Sequence, residues 1–249
     1  MATPPLTFSL DAPPHPVGPG VLPLDRIGPH DLGRLALGFY FMFWGALLWL
    51  VGLCVSLTAV TLGLMPNLLL IAGSVAMVTG AWRLHQVQSL DSSWRRRTRE
   101  LVIIAALLAY LCPFFMIWRR LPANIYLLGH VLALVALFSY SMALLCYTVG
   151  ILGRAAGRRS LVIQAILFGT VAVVMLFPAF ALLAQVMVLV ARGGHDPFAL
   201  LQFWMERTPP WAVLGLLLPF GLTLSLVWAA KDVVLNRLLA TPDNNCCSL

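Results

Sequence analysis

Six apolar stretches decide what this chain can fold into. They run at roughly 35–62, 66–84, 101–119, 123–150, 161–191 and 211–236, and they hold Asp, Glu, Lys or Arg only at their ends, as Arg83, Arg119, Lys231 and Asp232. About 20 mostly apolar residues, rising 1.5 Å each, cross a hydrocarbon core about 30 Å thick. Each stretch therefore reads as a transmembrane helix. Of the 249 residues, 61% are hydrophobic and 10% are charged. A soluble domain has about 45–50% and about 25%. One soluble core of this size cannot hide such an excess, so a soluble enzyme is excluded. The same figures exclude a disordered chain, and 5 Cys in 249 residues exclude a disulfide scaffold. The expected fold is all-α, a polytopic transmembrane helical bundle of about six spans.

The chain divides into three parts. Residues 1–34 carry Pro4, Pro5, Pro13, Pro14, Pro16, Pro19 and Pro23, which oppose a regular helix, and are expected to be an irregular N-terminal segment. They lack a basic start followed by an apolar core, so no cleavable signal peptide is expected. Residues 35–236 form the six-helix domain. Residues 237–249 form a short tail.

The net charge of +7 invites a nucleic-acid reading, and its distribution opposes that. With the N-terminus inside, the inner segments hold Arg26, Arg34, Arg83, Arg95, Arg96, Arg97, Arg99, Arg154, Arg158, Arg159, Lys231 and Arg237. The outer segments hold only Arg119, Arg120, Arg192 and Arg207. This bias places both termini in the cytoplasm and favours an even number of spans. Attraction to anionic lipid follows from it, and a nucleic-acid partner does not. Every basic residue but Lys231 is Arg, a skew common in GC-rich bacterial genomes, so the expected location is a bacterial inner membrane.

Small residues mark candidate packing faces. Gly38, Gly45, Gly52 and Ala59 recur every seven residues, close to two helical turns, and share one face. Such faces let membrane helices approach closely. They suit a homodimer seam or ordinary packing inside the bundle. Ala72, Ala76 and Gly80 in the second span, and Gly129, Ala133 and Ser141 in the fourth, are further candidates. Pro113, Pro178 and Pro219 lie inside spans three, five and six as expected kinks. Broken helices of this kind form substrate sites in some transporters. Span one is rich in aromatic rings, with Phe39, Tyr40, Phe41, Phe43, Trp44 and Trp49, on which a planar cofactor such as a quinone could stack.

Groups able to do chemistry are scarce. No ionisable residue sits at mid-membrane, where an ion-coupled pump needs one. A bis-His haem needs two His at matching depth, and only His130 lies within a span. His130, His195, Asp196 and Glu206 could gather as an outer metal site, although their spacing matches no known motif. Asp196 and Pro197 read better as the cap and first residue of an outer interfacial helix near 197–206. The inner loop from Ser92 to Glu100 holds Arg95, Arg96, Arg97 and Arg99, the densest charge of the chain, suited to anionic lipid or a partner. The terminal Cys246-Cys247-Ser248-Leu249 formally fits a prenylation pattern, which six spans make unnecessary. No phosphate loop, His-Glu-x-x-His or Gly-x-Ser-x-Gly is present.

The reading is a non-catalytic subunit or scaffold of a membrane complex, partnered by lipid and by other subunits or copies of itself, without a cofactor. Two alternatives are a small permease or six-span half of an ATP-driven exporter, and a cofactor-binding membrane redox subunit.

Overall fold

The computed structural model describes residues 23–58, 65–87, 89–118, 120–121, 124–191, 207 and 210–240. After a 3-10 turn at Leu24–Arg26 come six helices: α1 (Pro29–Thr58), α2 (Met65–Gln86), α3 (Ser92–Trp118), α4 (Ile125–Ala155), α5 (Arg159–Ala191) and α6 (Pro210–Ala240). The chain is an all-α, membrane-spanning bundle. Helices α1, α2, α3, α4 and α6 each hold a segment long and apolar enough to cross a bilayer, and the Arg159–Met175 part of α5 is a shorter apolar helix.

Local chemistry sets the helix ends. Pro29 occupies the first position of α1, where its missing N–H costs nothing. Asp31 stands in that first turn, and the Gly28 carbonyl accepts from Asp31 and Leu32 at 3.1 Å each. The helix thus begins six residues before the apolar stretch does. The Asn124 side chain caps α4 by accepting from the Tyr126 and Leu127 amides, at 3.0 and 3.3 Å. Between α4 and α5, Gly157 adopts φ 66°, the Arg158 amide donates to Gly153 O at 2.9 Å, and the Gly157 amide donates to Arg154 O at 3.1 Å. This pair of bonds ends α4 in three residues and turns the chain straight into α5. Helix α3 also departs from expectation. The arginine-rich segment from Ser92 is not a loop but the first turns of the helix. Its Arg96 and Arg97 pair with Glu100 one turn later, which offsets their mutual repulsion.

The tightest packing joins α1 to α2. A Cβ at Gly38 would lie 2.7 Å from Leu84, one at Gly45 2.7 Å from the Met77 amide nitrogen, and one at Gly52 3.1 Å from Leu69 and Leu70. Partner numbers fall as those of α1 rise, so the helices are antiparallel. Helix α2 answers with glycines of its own. A Cβ at Gly73 would lie 2.8 Å from Gly45 O, and one at Gly80 2.8 Å from Gly38 O. The seven-residue glycine face is therefore used inside the chain. Ala59 lies outside the described residues.

Two expected small-residue faces pack only in part, through Gly80 of the second span and the buried Ser141 of the fourth. On α2 the contact runs through Gly73, Met77, Gly80 and Leu84, while Ala72 is exposed. Seven-residue steps drift only about 20° around a helix, whereas four-residue steps drift about 40° each, so the Ala72-Ala76-Gly80 row leaves the seam. On α4, a Cβ at Gly129 would meet nothing within 4 Å, and Ala133 is exposed.

Three rings close the centre. Trp49 of α1 stacks on Phe138 of α4 (centroids 4.0 Å apart, planes 21°), and Phe138 stacks on Phe220 of α6 (5.6 Å, 20°). Phe39 meets Trp94 edge-on at 6.5 Å, and the Trp94 indole donates to Leu84 O at 3.2 Å. Replacing Gly45 by Ala should lower the unfolding midpoint in detergent by the equivalent of about 1–3 kcal/mol, because the new methyl meets α2 backbone. Gly33→Ala, with nothing within 4 Å of the added carbon, should be neutral or raise the midpoint.

Candidate functional site

The antiparallel alternation gathers charge at one end. Contacts between Ser74 and Cys112 and between His85 and Thr98 run α3 against α2. Phe114 with His130 and Arg97 with Tyr147 run α4 against α3, and the Gly153–Val162 and Gly169–Cys146 approaches run α5 against α4. Helices α4 and α6 run parallel through Phe138–Phe220 and Cys146–Thr223. The starts of α1, α3 and α5 and the ends of α2, α4 and α6 therefore share one end of the bundle. Among the described residues it holds Arg26, Arg34, Arg83, Arg95, Arg96, Arg97, Arg99, Arg154, Arg158, Arg159, Lys231 and Arg237. Arg120 and Arg207 lie at the other end.

These cations are not equivalent. Arg97 donates to Glu100 at 2.8 Å, and Arg96 to the other carboxylate oxygen at 3.3 Å. The Arg97 guanidinium also lies 4.8 Å from the centre of the Tyr147 ring, tying α3 to α4. Lys231 pairs with Asp232 at 3.0 Å and sits 3.3 Å above Trp228. Arg95, Arg99, Arg154, Arg158 and Arg159 are exposed and have no carboxylate partner among the described residues. The expected cluster of four arginines thus splits into Arg96 and Arg97, which pair with Glu100, and Arg95 and Arg99, which have no carboxylate partner among the described residues.

Glu100 stands just before the apolar part of α3. The hydrogen bond from Arg97 holds its carboxyl below the usual range, with help from Arg96 and against some desolvation. The same bond raises the Arg97 guanidinium.

Several polar groups in the interior are occupied by the chain itself, while Ser56 Oγ and Asn67 Oδ1 are buried with no hydrogen-bond partner among the described residues. Ser74 donates to Leu70 O at 2.8 Å, Thr148 to Leu144 O at 2.8 Å and Thr223 to Pro219 O at 2.8 Å. Cys112 lies 3.2 Å from Ser74, and Cys146 lies 3.5 Å from Thr223. Proline removes the donor that would reach four residues back, to Ala109 for Pro113, Val174 for Pro178 and Gly215 for Pro219. All three prolines lie within helices that continue through them.

His130 is likewise held by its neighbours. Its ring stacks on Phe114 (4.4 Å, 18°) and tilts against Tyr126 (4.4 Å, 56°). Its Nδ1 lies 2.8 Å from Tyr126 O. A carbonyl only accepts, so Nδ1 is the donor in this contact. Among the described residues no three His, Cys, Asp or Glu gather as a metal site. His195, Asp196, Glu206 and the interfacial helix expected near 197–206 lie outside the described residues, as do Cys246 and Cys247. In the aromatic first helix, Trp49 stacks on the protein's own Phe138, while Tyr40 and Trp44 are exposed.

Sequence reasoning passed over Tyr147 as the seat for Arg97. The signal was present: Tyr140, Tyr147 and Arg154 recur every seven residues and share one exposed face of α4.

The class defined by this fold is an integral membrane helical bundle. The chain matches no family model, no curated protein and no solved structure.

Because the Glu100 carboxyl is lowered on folding, its ionised form is favoured in the native state. Its contribution is complete above the ordinary glutamate value and is lost as pH falls through the lowered one. Glu100→Gln should therefore cost less than about 1 kcal/mol near neutral pH, as expected of a partly exposed pair. The gap to the parent should close on acidification. Unfolding of both proteins in detergent across that range checks it, and a gap that widens in acid contradicts it.

Proposed function

We propose that the chain is a non-catalytic subunit or scaffold of a membrane complex, crossing the bilayer six times with its arginine-bearing end in the cytoplasm. The observation that carries this reading is the aromatic packing at the centre of the described residues. Trp49, Phe138 and Phe220 stack across the centre, and the buried hydroxyls near them return their protons to their own helices. A permeation path needs polar groups facing one another across a space, or an ionisable group at mid-depth. Here the charged side chains of the described residues stand at the helix ends. The exposed Leu68, Ile71, Val75, Ile103, Leu107 and Tyr110 give α2 and α3 a broad apolar surface for lipid and for neighbouring helices.

The positive-inside bias supports the cytoplasmic assignment. The skew to arginine supports a bacterial inner membrane.

Purified in mild detergent from its native membrane, the chain should bring at least one further membrane protein in fixed stoichiometry, identified by mass spectrometry. Reconstituted alone into sealed liposomes, it should give no solute flux above protein-free vesicles. A lone species that moves solute across those liposomes overturns the reading.

A further inference from the structure

A groove of about 560 Å³ runs along the outer surface of the bundle between α4 and α5. Its floor is made of small residues, among them Ala143, Gly150, Ala165 and Gly169, and its walls include Ile166 and Val174. The two wall residues are 65% and 61% exposed, so the groove opens to whatever surrounds the protein. Thr170, which lines it together with Tyr147, donates to Ile166 O at 2.9 Å, and most of the remaining lining is apolar. At one end stands Arg154.

We propose that this groove seats one acyl chain of an anionic glycerophospholipid, with the lipid phosphate held at Arg154. Length selects the occupant. From Ala143 to Arg154 the groove follows eleven residues of α4, about 16 Å at 1.5 Å per residue. That is roughly half of a hydrocarbon core about 30 Å thick, the depth of one leaflet. A partner helix crossing the membrane needs the full thickness, whereas an acyl chain needs half.

Charge selects the headgroup. Arg154 lies at the arginine-bearing end, where the groove meets the level of the headgroups, and it is exposed with no carboxylate partner among the described residues. The neighbouring Arg97 is already engaged by Glu100 and Tyr147. The turn at Gly157 folds back so that the Arg158 amide donates to Gly153 O, and Arg158 and Arg159 are also exposed and without a carboxylate partner among the described residues. Arg154 is thus the cation that lines the leaflet-deep slot, with two more exposed arginines on the turn that follows it. A phosphodiester headgroup with net negative charge answers both features, while a zwitterionic one places its own cation among the arginines. The site stands apart from the subunit reading and survives or fails without it.

The test is native mass spectrometry of the full chain in detergent, titrated with dioleoylphosphatidylglycerol or dioleoylphosphatidylcholine. One phosphatidylglycerol should be retained per chain in preference to phosphatidylcholine. Arg154→Gln should weaken that binding about five-fold, the share expected of one arginine at a lipid headgroup. Arg95→Gln, which removes the same charge elsewhere on the same end, should change it less than about two-fold. Ala143→Phe, which fills the slot, should abolish the preference. Should that variant misfold, the two arginine variants decide alone, since both side chains are exposed. Equal retention of the two lipids, or equal losses in Arg154→Gln and Arg95→Gln, overturns the proposal. A photoreactive residue at Ile166 that captures another protein instead of lipid in native membranes overturns it as well.

Discussion

Helices surrounded by hydrocarbon gain nothing from pressing leucine against leucine, because lipid tails offer the same contact. They associate where backbones approach closely enough for many atoms to touch at once. In this chain that approach is the α1–α2 seam, where Gly45 and Gly73 each occupy the space a Cβ would need on the other. The rest of the bundle is built outward from it. A side chain at Gly73 would also strike the Trp49 backbone, 2.8 Å from its nitrogen. The seam thus fixes how deep Trp49 sits and leaves its ring against Phe138 of α4. Phe138 then reaches Phe220 of α6, and three helices from different parts of the chain are joined through one stack.

A second constraint acts on everything polar. In a medium without water a buried donor must find its acceptor inside the protein. Ser74, Thr148 and Thr223 do so within their own helices, which satisfies them and also removes them as ligands. Charges have only the ends to occupy. At the arginine-bearing end, acidic partners engage Arg34, Arg96, Arg97 and Lys231, while Arg95, Arg99, Arg154, Arg158 and Arg159 are exposed at the level of the headgroups. Among the described residues the interior is therefore mostly apolar and the charge stands at the rim. Such a division suits a protein whose partners are lipids and other helices.

The spans, the seven-residue glycine face and the sorting of charge between the two ends are legible in the residues, because each follows from a period or a count. What that glycine face packs against is not. Periodicity reports that a face is smooth, and only the matching register of Gly73 and Gly80 shows that α2 fills it. The start of α3 differs from the expected loop for a related reason. Hydropathy drops at Arg95, Arg96, Arg97 and Arg99, and a drop in hydropathy marks the edge of the membrane rather than the end of a helix. The Arg–Glu100 spacing of three and four residues is the local sign that the helix continues. Gly157 alone does not announce a tight turn, and neither the α4–α5 groove nor the seat of Arg97 on Tyr147 can be seen without the neighbouring helix in place.

Packing of this kind keeps water out of the bundle. Cys112, 2% exposed and 3.2 Å from Ser74, is a native reporter at its heart. In intact membranes, a small charged thiol reagent followed by site-resolved mass spectrometry should leave Cys112 unmodified while an Arg158→Cys reference at the rim reacts to completion. Modification of Cys112 at a rate approaching that of the reference would mean an aqueous path through the bundle and would contradict the account.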